Sequence, residues 1–130
     1  MDEEIVVMPR DYVEEVVWNI DNAVYHIGIA YGILECVKQT SLDKSRCEGI
    51  QNYIVMAILN YSINNAFLYM MRGKYLDVKN EIEAAMAKID ATISKIERLP
   101  QYPIRPVLKK AIDELSTAKE SLYKCKRRLP

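Results

Sequence analysis

The chain has 130 residues, half of them hydrophobic and 28% charged, enough for one domain with its own core and too apolar for a long disordered segment. Four glycines and five prolines argue against a turn-rich β fold. The 18 basic and 18 acidic side chains cancel, so no global field draws the protein to nucleic acid or an anionic membrane, and such a role needs a local patch.

Residues 1–10 place Asp2, Glu3, Glu4 and Pro9 around a short Ile5-Val6-Val7-Met8 patch and read as a tail. The acidic start lacks the basic and apolar regions of a secretory signal, which predicts a cytoplasmic protein. A first helix is predicted over about 11–37, with Asp11 as N-cap and Glu14 in the first turn. Val13, Val17, Ile20, Val24, Ile27, Tyr31 and Leu34 alternate steps of four and three, a heptad seam. Val16, Ala23, Ala30 and Val37 widen that stripe toward a core-facing bundle helix. Gly28 and Gly32 stand one turn apart and suit close approach of another backbone, within the bundle or between subunits.

A polar connection, Lys38 to Lys44, leads to Ser45 and Glu48, which match a capping box and start a second helix at about 46–72. Its predicted seam is Ile50, Ile54, Ala57, Tyr61, Asn64, Leu68 and Met71, and Gly73 follows as a left-handed cap. Residues 49–71 carry no charge. That is long enough to span a bilayer, but Gln51, Asn52, Asn60, Ser62, Asn64 and Asn65 would be costly in lipid, so no membrane role is expected. A bundle helix without a charged face is expected to be covered on more than one side. Tyr53, Asn60, Tyr61, Asn64 and Tyr69, with Gly28 and Gly32, are therefore the candidate interface. Its amides would fix register, because a mispaired arrangement leaves them unsatisfied. The segment from Asn65 to Tyr75 resembles the turn of a tetratricopeptide hairpin, yet no second copy follows at that repeat's period, which excludes an array.

The third helix is predicted over about 76–99 on the seam Val78, Ile82, Ala85, Ile89, Thr92, Ile96 and Leu99, with Pro100 stopping it. Three prolines between 100 and 106 then hold a connection, and Pro106 suits the first turn of a fourth helix over about 106–128. That helix carries Leu108, Ala111, Leu115, Ala118, Leu122, Cys125 and Leu129 inward, with Lys109/Asp113, Lys110/Glu114 and Glu120/Lys124 one turn apart outside. The expected fold is all-α, an antiparallel up-down-up-down four-helix bundle forming one domain over 11–130.

His26, the only histidine, has no Glu three residues before it, as a carboxylate-bridged di-iron bundle requires, and no Arg four to six residues before it, as certain helical ribonucleases require. It reads as a packed or hydrogen-bonded helix residue. Cys36 and Cys47 fall at one end of the expected bundle and form a candidate disulfide, with buried free thiols the favoured reading. Cys125 falls at the other end. Fifteen isoleucines, nine tyrosines and three glutamines are compatible with a thermophilic source.

Charge is uneven: residues 1–65 sum to −6 and residues 66–130 to +6. Lys124, Lys126, Arg127 and Arg128 form a candidate anion-binding cluster, although cations at a helix C-terminus also complement its dipole. No base, nucleophile and orienting group stand at catalytic spacing, so no enzymatic activity, cofactor or metal is expected. The leading expectation is a helical protein acting through self-association, as a homo-oligomer such as a dimer, or through another helical protein. A nucleic-acid-associated subunit using the basic cluster is the alternative, held back because no aromatic platform accompanies the cluster in sequence.

Overall fold

The computed structural model describes residues 7–40, 43–101 and 104–130. Within them the chain is all-helical, with four long helices: α1, Arg10–Thr40; α2, Lys44–Met71; α3, Tyr75–Glu97; and α4, Arg105–Arg128. Most of the expected N-terminal tail lies outside the described residues; inside them Met8 is buried with the core. One core cluster runs through all four helices.

The helix starts differ from expectation in instructive ways. The first free amides of α1 bond to Pro9, whose carbonyl accepts from Tyr12 and Val13, so Asp11 stands inside the first turn, where its charge still meets the helix dipole. At α2 the cap is Asp43, whose carboxylate accepts from the Arg46 amide at 3.1 Å, in place of Ser45. Gly73 behaves as expected. At φ +69° it closes α2 in a Schellman turn, with its own amide bonded to Met70 and the Lys74 amide to Tyr69.

The inward lines of α3 and α4 follow the heptad reading at every position named for them. On α1 the buried line is Val16, Ile20, Ala23, Ile27, Ala30, Leu34 and Val37, while Val13, Val17, Val24 and Tyr31 are half-buried beside it. The helix is thus rotated from the expected seam so that Val16, Ala23, Ala30 and Val37, expected at the side of the stripe, lie on its buried line. Small side chains let two helices approach closely, and α1 shares its most extensive contact with α4, which buries Ala111 and Ala118 in the same rhythm.

On α2 the heptad reading fails. Between α-helical Lys44–Tyr53 and Asn64–Met71, residues Ile54–Ile63 form a π-helix. Its wider i→i+5 turn advances the inward face by about four residues instead of alternating three and four. Ile50, Ile54, Ile58, Ser62, Ala66 and Met70 are buried, and the expected inward residues Tyr61, Asn64, Leu68 and Met71 turn outward.

Cross-helix pairs tie each helix to its chain neighbours and α1 to α4. Glu15, Asn22 and His26 of α1 meet Arg128, Ser121 and Glu114 of α4. Lys119 and Lys126 of α4 meet Asp90 and Glu83 of α3. Gln51 of α2 meets Glu35 of α1. Glu114 therefore serves His26 rather than Lys110, its expected partner on the same helix.

Candidate functional site

The open face of α2 is the first candidate. Met56, Tyr61, Leu68 and Met71 are 66%, 58%, 39% and 83% exposed, and Asn52, Asn60 and Asn64 lie exposed among them. The flank carries no charged side chain of its own, and among the described residues the Lys88 ammonium of α3 reaches its edge at Tyr61. The helix was expected to be enclosed on more than one side; here it is enclosed toward the core, on the line of Ile50, Ile54, Ile58, Ser62, Ala66 and Met70.

Of the candidate interface residues, Asn60, Tyr61 and Asn64 share this face, with the Asn60 amide 4.0 Å from the Met56 sulfur. Tyr53 and Tyr69 are half-buried and pack on the core. Two tyrosines are engaged from α3: the Lys95 ammonium sits 3.7 Å from the Tyr53 ring centre, and that of Lys88 4.8 Å from the Tyr61 ring centre. Lys88 also donates to the Ala57 carbonyl at 3.1 Å and to the buried Ser62 hydroxyl at 2.7 Å. A cation from α3 thereby satisfies groups inside the π-helical stretch. Sequence periodicity gave no sign of this, because Lys88 lies off the α3 seam.

Gly28 and Gly32 are exposed on α1, and a Cβ built on either meets nothing within 4 Å. Among the described residues no element uses the space they leave.

The second candidate lies between the first turns of α1 and the last turns of α4. A groove of about 540 Å³ is lined by Glu15, Trp18, Asn19, Lys124, Arg127 and Arg128. Three of the four cations in the candidate anion-binding cluster thus line one concavity. Lys126 is turned away, paired with Glu83 at 3.2 Å. Arg128 pairs with Glu15 at 2.9 Å and lies over Tyr12, 4.7 Å from its centre; Arg127 lies 5.4 Å from the centre of Tyr123. Lys124 and Arg127 have no carboxylate partner among the described residues.

The expectation that no aromatic platform accompanies the cluster is corrected here. Trp18 stands in the groove, and Tyr12 and Tyr123 flank it. The signal was present in the sequence: Trp18 falls off the α1 seam and must face outward, and pairing the start of one helix with the end of the other brings it to the basic cluster.

Several other titratable groups make contacts within the chain. His26 Nδ1 lies 2.5 Å from Glu114 Oε2 and the ring makes an edge contact with Tyr25. The Glu35 carboxyl is held below its ordinary range by a hydrogen bond from Gln51 and a second from Lys38, and the same bond raises Lys38. Burial pushes the Cys125 thiol up to about 12, with its Sγ 3.4 Å from the Val16 carbonyl. Cys36 and Cys47 are free thiols, the first exposed and the second buried. Among the described residues no group of three or more His, Cys, Asp or Glu is placed to hold a metal ion. By length and composition alone α2 could cross a membrane, and a third of its most apolar window is buried inside the protein. Comparison of the chain with protein-family models, with curated proteins and with solved structures finds no match.

Proposed function

We propose that the protein is a non-enzymatic helical assembly protein whose open α2 face meets a second copy of the chain. The observation that carries this reading is the flank itself: exposed Met56, Tyr61, Leu68 and Met71 interleaved with amides, on a helix with no charged side chain of its own over residues 49–71. In an isologous dimer the same stripe meets its own copy, and Asn60 and Asn64 hydrogen-bond across the seam in one register only. The opposed charges of the two chain halves guide the encounter. Gly28 and Gly32 offer a second contact surface where a partner backbone approaches closely.

The reading takes the chain as an antiparallel up-down-up-down bundle. In its favour, cross-helix pairs run in opposite sequence directions, Glu15 with Arg128 and His26 with Glu114, Asp90 with Lys119 and Glu83 with Lys126. It also takes the protein as cytoplasmic, acting without a membrane or a cofactor: the amides on the open face suit a protein partner better than hydrocarbon.

Light scattering across a dilution series tests the proposal. The native chain is expected to move from dimer to monomer on dilution. Asn60→Leu with Asn64→Leu is expected to keep association while giving mixed stoichiometry; an unchanged single dimer would remove the register argument. A monomer at every concentration would overturn the assignment.

A further inference from the structure

Beyond self-association, we propose that the groove between α1 and α4 binds a nucleotide unit, its phosphate held by Lys124 and Arg127 and its base stacked on Trp18. Three properties of the groove point to this ligand. Its volume of about 540 Å³ lies within the range of sites that enclose small molecules.

Its charge is lopsided. Lys124, Arg127 and Arg128 face one carboxylate, Glu15, which is already occupied by Arg128. Lys124 and Arg127 are left without an anionic partner among the described residues, and residues 105–130 sum to +5 on a chain whose net charge is zero. A local anion site on a neutral protein is the pattern expected of a specific contact rather than of general electrostatic capture.

The aromatic content then selects among anions. Trp18 is 65% exposed in the groove, which leaves much of an apolar indole in water. Tyr12 and Tyr123 each carry a guanidinium against the ring, which holds the arginine planes beside the groove. Unstacked bases are recognised by aromatic faces and guanidinium planes, and their phosphates by free cations. Inorganic phosphate alone would use the cations and leave Trp18 without a role. The shared chemistry, a base with its phosphate, comes either from a free nucleotide or from single-stranded RNA or DNA.

Trp18 is the only tryptophan, so its emission reports on the groove directly. Emission of the full chain is titrated with a 5′-mononucleotide, with single-stranded RNA and DNA 12-mers, with inorganic phosphate, and with phosphatidylserine vesicles. Saturable quenching by the 12-mers at concentrations well below those needed for the mononucleotide is expected if the source is a nucleic-acid strand; equal concentrations identify a free nucleotide. Lys124→Gln with Arg127→Gln is expected to weaken binding at least tenfold and to flatten its salt dependence. Trp18→Leu, followed by anisotropy of labelled nucleotide or 12-mer, is expected to cost about five- to 150-fold. Circular dichroism confirms the fold of each variant, and both substitutions fall on exposed residues. Absence of saturable quenching, equal response to phosphate alone, response to vesicles alone, or unchanged affinity in both variants would overturn the proposal.

Discussion

Replacing Lys88 should destabilise the protein out of proportion to its position on a helix surface. Its ammonium donates to the Ala57 carbonyl at 3.1 Å and the Ser62 hydroxyl at 2.7 Å, and lies over Tyr61. Hydrogen bonds from a charged donor contribute about 1.5–3 kcal/mol, and an exposed cation–π contact about 0.5–1 kcal/mol. Part of this is offset by partial burial of the ammonium, so Lys88→Met, which keeps the stem and removes the charge, should cost about 2–3 kcal/mol. Against a typical stability of about 5–15 kcal/mol that is a large fraction. With a urea slope of about 1.5–2 kcal/mol/M the midpoint falls by roughly 1–2 M. Unfolding is followed by far-ultraviolet circular dichroism at one fixed protein concentration, since association would itself shift the midpoint. Ser62→Ala and the double variant complete a cycle that isolates the Lys88–Ser62 coupling. A loss below about 0.5 kcal/mol for Lys88→Met would refute the idea that this lysine secures the π-helical stretch.

Other expectations follow from named groups. Gly28→Ala and Gly32→Ala should each raise the stability of the isolated chain by about 1 kcal/mol, because the new methyl meets open space and alanine favours the helix. The same pair should weaken dimerisation if a partner backbone uses the gap, and unchanged dimer affinity would exclude the glycines from the interface. Cys36 should react with a thiol reagent in the native state while Cys47 and Cys125 wait for unfolding; fast labelling of all three would contradict the burial. With the Cys125 thiol raised by burial, the unfolded chain ionises first, so stability falls as pH climbs past the ordinary thiol range, by about 2 kcal/mol near pH 10.5. Cys125→Ala should lose that alkaline slope, and retention of the slope would place its origin elsewhere. The lowered Glu35 carboxyl contributes stability above its ordinary range that is lost as pH falls through its depressed value, and Glu35→Gln should flatten this acid limb in urea midpoints.

Where one period governs a helix, the sequence is enough. The six inward positions named on α3 and the six on α4 are buried, as are Leu99 and Leu129 just past their ends, since unbroken α-helix keeps the heptad count from end to end. On α1 the period was legible but its centre was not: Val13, Val17 and Val24 look more like core than Ala23 and Ala30, yet the two alanines are fully buried alongside Ile20, Ile27 and Leu34 while those valines are half-buried. On α2 the count breaks inside Ile54–Ile63, where Lys88, far away in sequence, donates to Ala57 and Ser62 within the wide turn. The candidate surfaces divide the same way. Asn60, Tyr61 and Asn64 emerge on one face as the uncharged run suggested, although as an open flank rather than a covered one. The basic cluster was visible in the last turns of α4, whereas its aromatic companions Tyr12 and Trp18 lie over a hundred residues away and join it only through the packing of α1 on α4.

Sedimentation equilibrium on the native chain beside a Met56→Glu, Leu68→Glu variant is the most direct test of the α2 face. Both side chains are exposed, so the variant is expected to keep its helical signal, while a dimer would have to bury four carboxylates without partners. A concentration-dependent dimer for the native chain and a monomer for the variant is the predicted result. A native chain that stays monomeric up to roughly millimolar concentration, or a variant that dimerises as tightly as the native chain, would contradict the account.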